Sequence, residues 1–401
     1  MVFLREAKMI DKINQHLEKF DFDVRKTKDA RFMDQKVTPD VLSFIAECIL
    51  NLPSDKTNFA VKDIWDSEYF EKNTKAIFSK PSPKNTSAKH EYDKFIQQPL
   101  KMLAYAKILV SQKDGNTNVY QVIERDILEY ISIKERNAFI FLYQYLTKVL
   151  TDSDMIRHFE TFKNNQSKDN FRLLKQKFIQ FIRGNTPINT DVEIRRIFPK
   201  ILNIYSVYHN IKGTESGRLS KSNFTFSDLM YNDVNFRDIG KEKNLTRKET
   251  ISYINAVRKQ QKEYNNYLIA KAKRIIQKKY QFSEVNDAKG KGEAIHVHHI
   301  FSSSEFPQLA YFLENLIKLT VEQHLFHAHP KGNTQVINRD YQCVCLIAKS
   351  ESIEKSLDLG EFLYSKNDFV YVINIGLNAN LAQDFDFEEI RFQINKIYNT
   401  N

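Results

Sequence analysis

Residues 294–334 read AIHVHHIFSSSEFPQLAYFLENLIKLTVEQHLFHAHPKGNT, and six of the chain's ten histidines fall between His296 and His329. The segment opens with apolar residues alternating with histidine from Ile295 to Ile300, the period-two signature of a strand. A serine-rich turn follows, then a second β-type run from Asn315 to Thr320. A helix is expected to open after Thr320. Paired histidines close the first strand, an asparagine opens the second, and one more histidine lies a turn into the helix. The order strand, strand, helix therefore predicts that His298, His299, Asn315 and His324 gather around one small cavity. Neighbouring residues on an ideal strand face opposite ways, but this pair sits where the strand gives way to a loop.

Such a cavity is equipped for a definite chemistry. Neutral imidazole is a metal ligand and also the side chain whose unperturbed pKa best suits base work near neutrality. One of two adjacent histidines can hold a cation while the other takes a proton. The cation then acts as a Lewis acid and template. Hydrolysis of a phosphodiester needs this combination of base and positive charge.

The pattern resembles that of the HNH, or ββα-metal, nucleases, whose motif is an Asp-His or His-His pair, a central Asn, and a final His or Asn on a helix. His298-His299 matches the pair, Asn315 the centre, and His324 the final position, nine residues on. The resemblance spans about Lys291 to Asn338. It implies that His299 is the general base, that His298 and His324 are metal ligands, and that Asn315 holds the loop orienting the base. It also implies one divalent ion per site, Mg2+ or Mn2+. Where many members carry Asp, His298 makes the site softer and more tolerant of Ni2+ or Zn2+. The two C-x-x-C pairs found in many members are missing, so packing must hold the segment. The third ligand stays open between His327 and His329. His329 requires the helix to end early, which Pro330 and Gly332 allow. His296 reads as a neighbour rather than a ligand.

The chain has 401 residues, a net charge of +10 and 42% hydrophobic residues, enough for packed cores in two or three domains. The basic balance suits a polyanion. No apolar run reaches the roughly 20 residues of a membrane span, and the first twenty residues lack the apolar stretch of a signal peptide. With Cys48, Cys343 and Cys345 as its three cysteines, the chain can build neither a disulfide framework nor a metal site of four cysteines. A bacterial cytoplasmic location is the expectation.

Upstream, Thr38-Pro39-Asp40 marks a helix start, with Val41, Ile45, Cys48, Ile49 and Leu52 on one apolar face. A short helix is expected over Phe59–Trp65. A third begins near Ser87 and carries a kink at Pro99. Two β-prone runs around Asp114-Gly115 form a hairpin. Three helices and a hairpin suggest a winged helix, whose third helix commonly enters the DNA major groove. Lys89, His90, Lys94 and Gln98 are the candidate contacts. Residues 133 to 208 read as a helical connector, and 213–240 as a looser boundary. Thr246 with Glu249 forms a capping box at the start of a long basic helix that runs to Tyr280. Near the end, FVYVINIGL is expected as a strand.

The expected fold is therefore α+β, predominantly α. It comprises a winged-helix-like reader (1–132), a helical connector (133–240) and a ββα-metal nuclease domain (241–401). This layout resembles that of HNH-type type II restriction endonucleases, as does the stretch from Arg31 to Leu52. The resemblance implies sequence-specific cleavage of double-stranded DNA, with 5′-phosphate and 3′-hydroxyl ends, and a separated reader permits cutting outside the recognised sequence. It further implies a homodimer during cleavage and a cognate DNA methyltransferase. A homing endonuclease, or a non-enzymatic winged-helix regulator with structural zinc, are the alternatives.

Overall fold

The computed structural model describes residues 3–78, 82–84, 89–231, 247–290, 292–329, 333 and 336–400. Helix predominates, with three small antiparallel sheets among the described residues. No described helix is long and apolar enough to cross a membrane. The chain forms two compact units, residues 9–251 and residues 252–401 together with 1–8.

In the first unit, α1 (Phe3–Leu17) and α2 (Val24–Thr27) precede α3 (Pro39–Leu50). Pro39 occupies the first turn of α3 as its fixed φ favours, and the helix is buried on nearly every side. Such a helix is central rather than amphipathic. The Asp40 carboxylate accepts the Thr38 hydroxyl (2.6 Å) and the Tyr231 backbone N–H (2.9 Å), tying the start of α3 to a distant segment. Then come β1 (Asn58–Ala60), α4 (Val61–Trp65), α5 (Glu68–Phe78), α6 (Lys89–Tyr105), β2 (Leu109–Asp114) and β3 (Thr117–Val122). The sheet order is β1-β3-β2. Gly115, at φ +57°, opens the two-residue turn between paired Asp114 and Thr117, the position a hairpin turn reserves for glycine.

The expected helix over residues 59–65 is shorter, beginning at Val61. Phe59 instead pairs with Tyr120 across the sheet, is buried, and stacks on that ring at 6.0 Å. Burial of an aromatic pair outweighs one more helical residue. Pro99 lies inside α6 without ending it, because Phe95, Ile96, Leu100 and Leu103 bury that helix on both sides of the proline. The start expected near Ser87 lies outside the described residues.

The helices α7 (Arg125–Ile133), α8 (Glu135–Asp152), α9 (Ile156–Asn164), α10 (Lys168–Asn185) and α11 (Asp191–Tyr208) follow. The hairpin β4 (Lys212–Glu215) and β5 (Arg218–Asn223) comes next. Both α7 and α8 pack on α3. The segments expected as reader and connector thus share one compact unit.

In the second unit, α12 (Arg247–Lys279) leads to β6 (His296–His299) and β7 (Leu316–Leu319). Thr246, the expected cap of α12, lies outside the described residues. After β7, α13 (Arg339–Asp358), α14 (Lys366–Gly376) and α15 (Phe387–Thr400) complete the unit. The strand expected from FVYVINIGL is in fact helix α14. Its N-cap Ser365 accepts the Asp368 N–H, and Phe369, Val370, Val372 and Ile373 are buried while Tyr371 is exposed. One helical face satisfies these β-branched residues because strand propensity largely reflects packing context. Cys345 is buried and Cys343 half-buried, both on α13, and none of the three cysteines forms a disulfide.

A fully buried ion pair ties the hairpin to α13. Lys349 Nζ lies 3.0 Å from Glu284 Oε2, 2.8 Å from the Tyr364 hydroxyl and over the Tyr364 ring. Glu284 Oε1 in turn accepts the Lys318 N–H of β7 at 2.9 Å. Burial pushes the Lys349 ammonium pKa down, while Glu284 opposes that shift. Replacing Lys349 by Ala should destabilise the protein by about 3–5 kcal/mol, since it strands a buried carboxylate. Pairing Lys349→Met with Glu284→Gln should recover part of the loss. Denaturant unfolding of the three proteins checks this; a Lys349→Ala midpoint equal to the parent's would refute it.

Candidate metal centre

β6 and β7 pair antiparallel, with His298 opposite Ile317 and His299 opposite Leu316. The pleat places His296 and His298 on one face and His299 on the other. After β7 the chain turns on a capping box that the sequence carries as Thr320-x-x-Gln323. The Gln323 N–H donates to Thr320 Oγ1 at 3.2 Å, and the Thr320 N–H to Gln323 Oε1 at 3.1 Å. Gln323 is fully buried, and its Nε2 donates to Val285 O and Asp287 Oδ1 at 3.0 and 2.8 Å. This anchored turn continues as a π-helical stretch, Gln323–Ala328, ending at His329. The early end needed to bring His329 inward is present; Pro330 and Gly332 lie outside the described residues.

His298, His324 and His329 bring one ring nitrogen each to within 4.8 Å of one another. Their rings meet edge to face: His298 and His324 at 5.3 Å, His298 and His329 at 4.8 Å, His324 and His329 at 4.8 Å. His329 Nδ1 lies 2.9 Å from Val336 O. A carbonyl only accepts, so Nδ1 carries the proton and Nε2 keeps its lone pair. A second hydrogen bond of this kind orients metal-bound imidazoles. His324 Nδ1 is buried without a hydrogen-bond partner, and His298, 4% exposed, makes no hydrogen bond among the described residues. An unsatisfied buried nitrogen such as His324 Nδ1 is costly, and a bound cation would satisfy it. The donor set fits a divalent ion. With three imidazoles and no carboxylate in the group, it suits Zn2+ or Ni2+ better than Mg2+.

His327 lies apart from this group, its ring 5.5 Å from that of Tyr341. His296, read as a neighbour, stacks parallel on His324 at 4.6 Å. His299 Nε2 lies 3.0 Å from Ala310 O, so it carries the proton and Nδ1 holds the free lone pair. Asn315 is fully buried. Its Oδ1 accepts the Phe301 N–H at 2.8 Å, and its Nδ2 donates to Phe301 O and Leu309 O at 3.0 and 3.1 Å. Asn315 thereby closes the loop whose Ala310 carbonyl holds His299. Gly376, at the end of α14, leaves room for the Phe301 ring, which an added Cβ would strike.

The electrostatics favour neutral imidazoles. Burial, then the neighbouring imidazoles and Lys273, hold His298 well below the usual imidazole range. Burial chiefly, with His296, His329 and Lys273 adding, takes His324 down to about 4. Burial and Lys273 take His299 to about 4. Lys273, half-buried on α12, is thus a cation felt by all three and is itself pushed down by burial. The charge run of α12 was legible in the sequence, but which of its lysines turns to the site was not.

Of the expected DNA contacts, Lys94 is exposed and Gln98 half-buried on α6. Gln98 Oε1 accepts the Lys36 N–H at 2.8 Å. The side chains of Lys89 and His90 lie outside the described ones.

Comparison with known protein families, curated proteins and solved structures returned no match to this chain.

Replacing His298, His324 or His329 singly by Ala should weaken binding of Mn2+ or Zn2+ by at least ~100-fold, beyond the roughly 10–100-fold of an outer-shell loss. His327→Ala should leave affinity unchanged. Calorimetric titration reads both, and tight binding by the His329→Ala protein would remove that residue from the ligand set.

Proposed function

We propose that the chain is a divalent-metal-dependent endonuclease of the ββα-metal type, acting on double-stranded DNA. The observation that carries this reading is one constellation: three convergent imidazoles on one side of β6 and His299 on the other, held through the Asn315-clamped loop. Three protein ligands also leave a coordination position open, which distinguishes catalytic from closed structural sites. That argues against the zinc-stabilised regulator.

A bound divalent ion would supply Lewis acidity to a phosphate oxygen and steady the departing oxygen. The protein's own residues do the rest. His299 Nδ1 takes the proton of the attacking water as its oxygen bonds to phosphorus. The P–O3′ bond breaks, the 3′ oxygen takes a proton from solvent, and a 5′-phosphate remains. Asn315 acts as a positioning residue, fixing the loop whose Ala310 carbonyl sets the His299 tautomer. Lys273 places a positive charge beside a polyanionic substrate.

We assign the first unit to recognition. The run α3, β1, α4 to α6, β2 and β3 within it, with sheet order β1-β3-β2, supports a winged helix, and the net charge of +10 suits DNA. A recognition unit joined to a cleavage unit is the economy of a type II restriction enzyme, which in a bacterial cytoplasm would need a methyltransferase to protect host DNA. Cutting both strands calls for two such sites, hence a homodimer during cleavage.

Incubated with plasmid and Mn2+ or Mg2+, the protein should give discrete fragments with 5′-phosphate ends. His299→Ala should slow cutting by about 10²–10⁴-fold while binding DNA unchanged. Undiminished cutting by that variant would reject His299 as the base, and an intact plasmid with the parent protein would reject the nuclease reading.

A pH profile tests Lys273. Cutting needs neutral His299, so log kcat/KM of the parent should stay level from neutrality down to about pH 5 and fall towards 4, where His299 gains its proton. Lys273→Met removes a positive charge that opposes that proton. The acid limb should then move to higher pH; an unmoved limb would show that the ammonium does not act on His299.

A further inference from the structure

The first unit holds a cleft of about 360 Å3 between α6 and the start of α11. Its basic lining is Arg31, Lys94, Lys101 and Arg196, against the acids Asp34 and Glu193. Arg31 is already paired with Asp34, at 2.9 Å. Lys94, Lys101 and Arg196 make no ion pair or hydrogen bond among the described residues. These three cations share one concavity with Arg31, where they repel one another. Lys101 is half-buried, and burial together with Arg31 pushes its ammonium down.

Beside the acids Asp34 and Glu193, α6 brings two amides to the cleft. Gln98 Oε1 is occupied by the Lys36 N–H, so its amide has only N–H bonds left to offer. Gln97, beside it in the lining, has no hydrogen bond among the described residues. Among the described residues no aromatic ring lines the cleft, so they offer no platform for an unstacked base. Donors and fixed positive charge without a stacking surface suit phosphate oxygens.

Shape narrows the source of that phosphate. Lys94, Gln97, Gln98 and Lys101 recur at helical spacing along one stripe of α6, while Tyr92, Phe95, Ile96, Leu100 and Leu103 bury the rest. From Lys94 to Lys101 the helix rises about 10 Å at 1.5 Å per residue, well beyond the width of one phosphate group. A stripe of that length tracks a backbone; a single phosphate would need only one end of it.

We propose that the α6–α11 cleft binds the sugar–phosphate backbone of duplex DNA and sets the register of the first unit without reading sequence. The proposal deepens the nuclease reading and rests on it. Lys94 and Gln98, expected from the sequence as groove contacts, become backbone contacts, joined by Lys101 from the same helix and Arg196 from α11. Contacts of this class position a protein on DNA and carry no base information.

The test uses the full chain in EDTA, where binding proceeds without cleavage. A short labelled duplex is titrated at several salt concentrations with the parent, with Lys94→Gln/Lys101→Gln/Arg196→Gln, and with a control triple at the exposed Lys168, Lys177 and Lys221. The cleft triple should lose about tenfold or more in affinity for every duplex sequence tried, and its log–log salt slope should fall by roughly 2–3, near 0.9 per lost contact. The control should change less than about twofold, as distant surface charges are screened. Because the substitutions relieve repulsion, thermal unfolding of the cleft triple should match or exceed the parent's. Lys101→Gln alone gives a milder variant should the triple fail to fold, and should lower the slope by about one. Equal loss in cleft and control triples would overturn the cleft assignment while leaving the nuclease reading intact. Loss confined to one duplex sequence would overturn backbone binding in favour of base reading. Competition by millimolar inorganic phosphate would overturn it in favour of a small-anion site. A parent protein that binds no duplex would remove the nuclease reading and the proposal with it.

Discussion

The carboxamide of Asn315 is the constraint on which the candidate site depends. β6 and β7 share only a short ladder, His296–His299 against Leu316–Leu319, and a two-stranded hairpin is marginal by itself. Asn315 closes it by bonding to Phe301 on both its N–H and C=O and to the Leu309 carbonyl. Its three hydrogen bonds lie entirely inside the protein, where each lost partner costs the desolvation of the group left behind. That clamp fixes the loop carrying Ala310, and so the orientation of His299. A second buried carboxamide, Gln323, does the same on the far side of β7, binding Ser283, Val285 and Asp287 just before His324. With no C-x-x-C pair in its sequence, this chain relies on two amides and the Lys349–Glu284 pair.

The same tight packing sets the charge state of the site. Crowded, buried imidazoles cannot all be protonated, and Lys273 adds a further positive charge to the field felt by His298, His299 and His324. Each therefore offers a lone pair well below neutral pH. Histidine alone would titrate near 6.5; here the fold makes the site a standing set of donors. The two faces of one strand divide the labour, as alternation in the pleat requires.

Much of this was legible in the chain because it is local. Alternation from Ile295 to Ile300, the run after Asn315 and the Thr320-x-x-Gln323 signal give strand, strand and turn, and Asp114-Gly115 gives a hairpin. What misled was propensity taken without its partners. FVYVINIGL is rich in β-branched residues, yet Ser365 caps it and a buried face takes Phe369, Val370, Val372 and Ile373 as a helix. Phe59 departs the other way, leaving a helix to stack on Tyr120. For Phe59 the deciding neighbour is far along the chain.

By itself, then, the sequence determined the donor chemistry and its spacing: six histidines in one segment, an asparagine at the turn, and a basic helix ahead of them. Spacing fixes which residues share a strand face or a helical turn, since that geometry is set by backbone periods alone. Only the tertiary structure set His329, and not His327, beside His298 and His324, singled out Lys273 from a run of lysines, and placed Lys101 and Arg196 in one cleft with Lys94. These choices depend on where a helix ends in space and on what it packs against, and no period within a single segment encodes either.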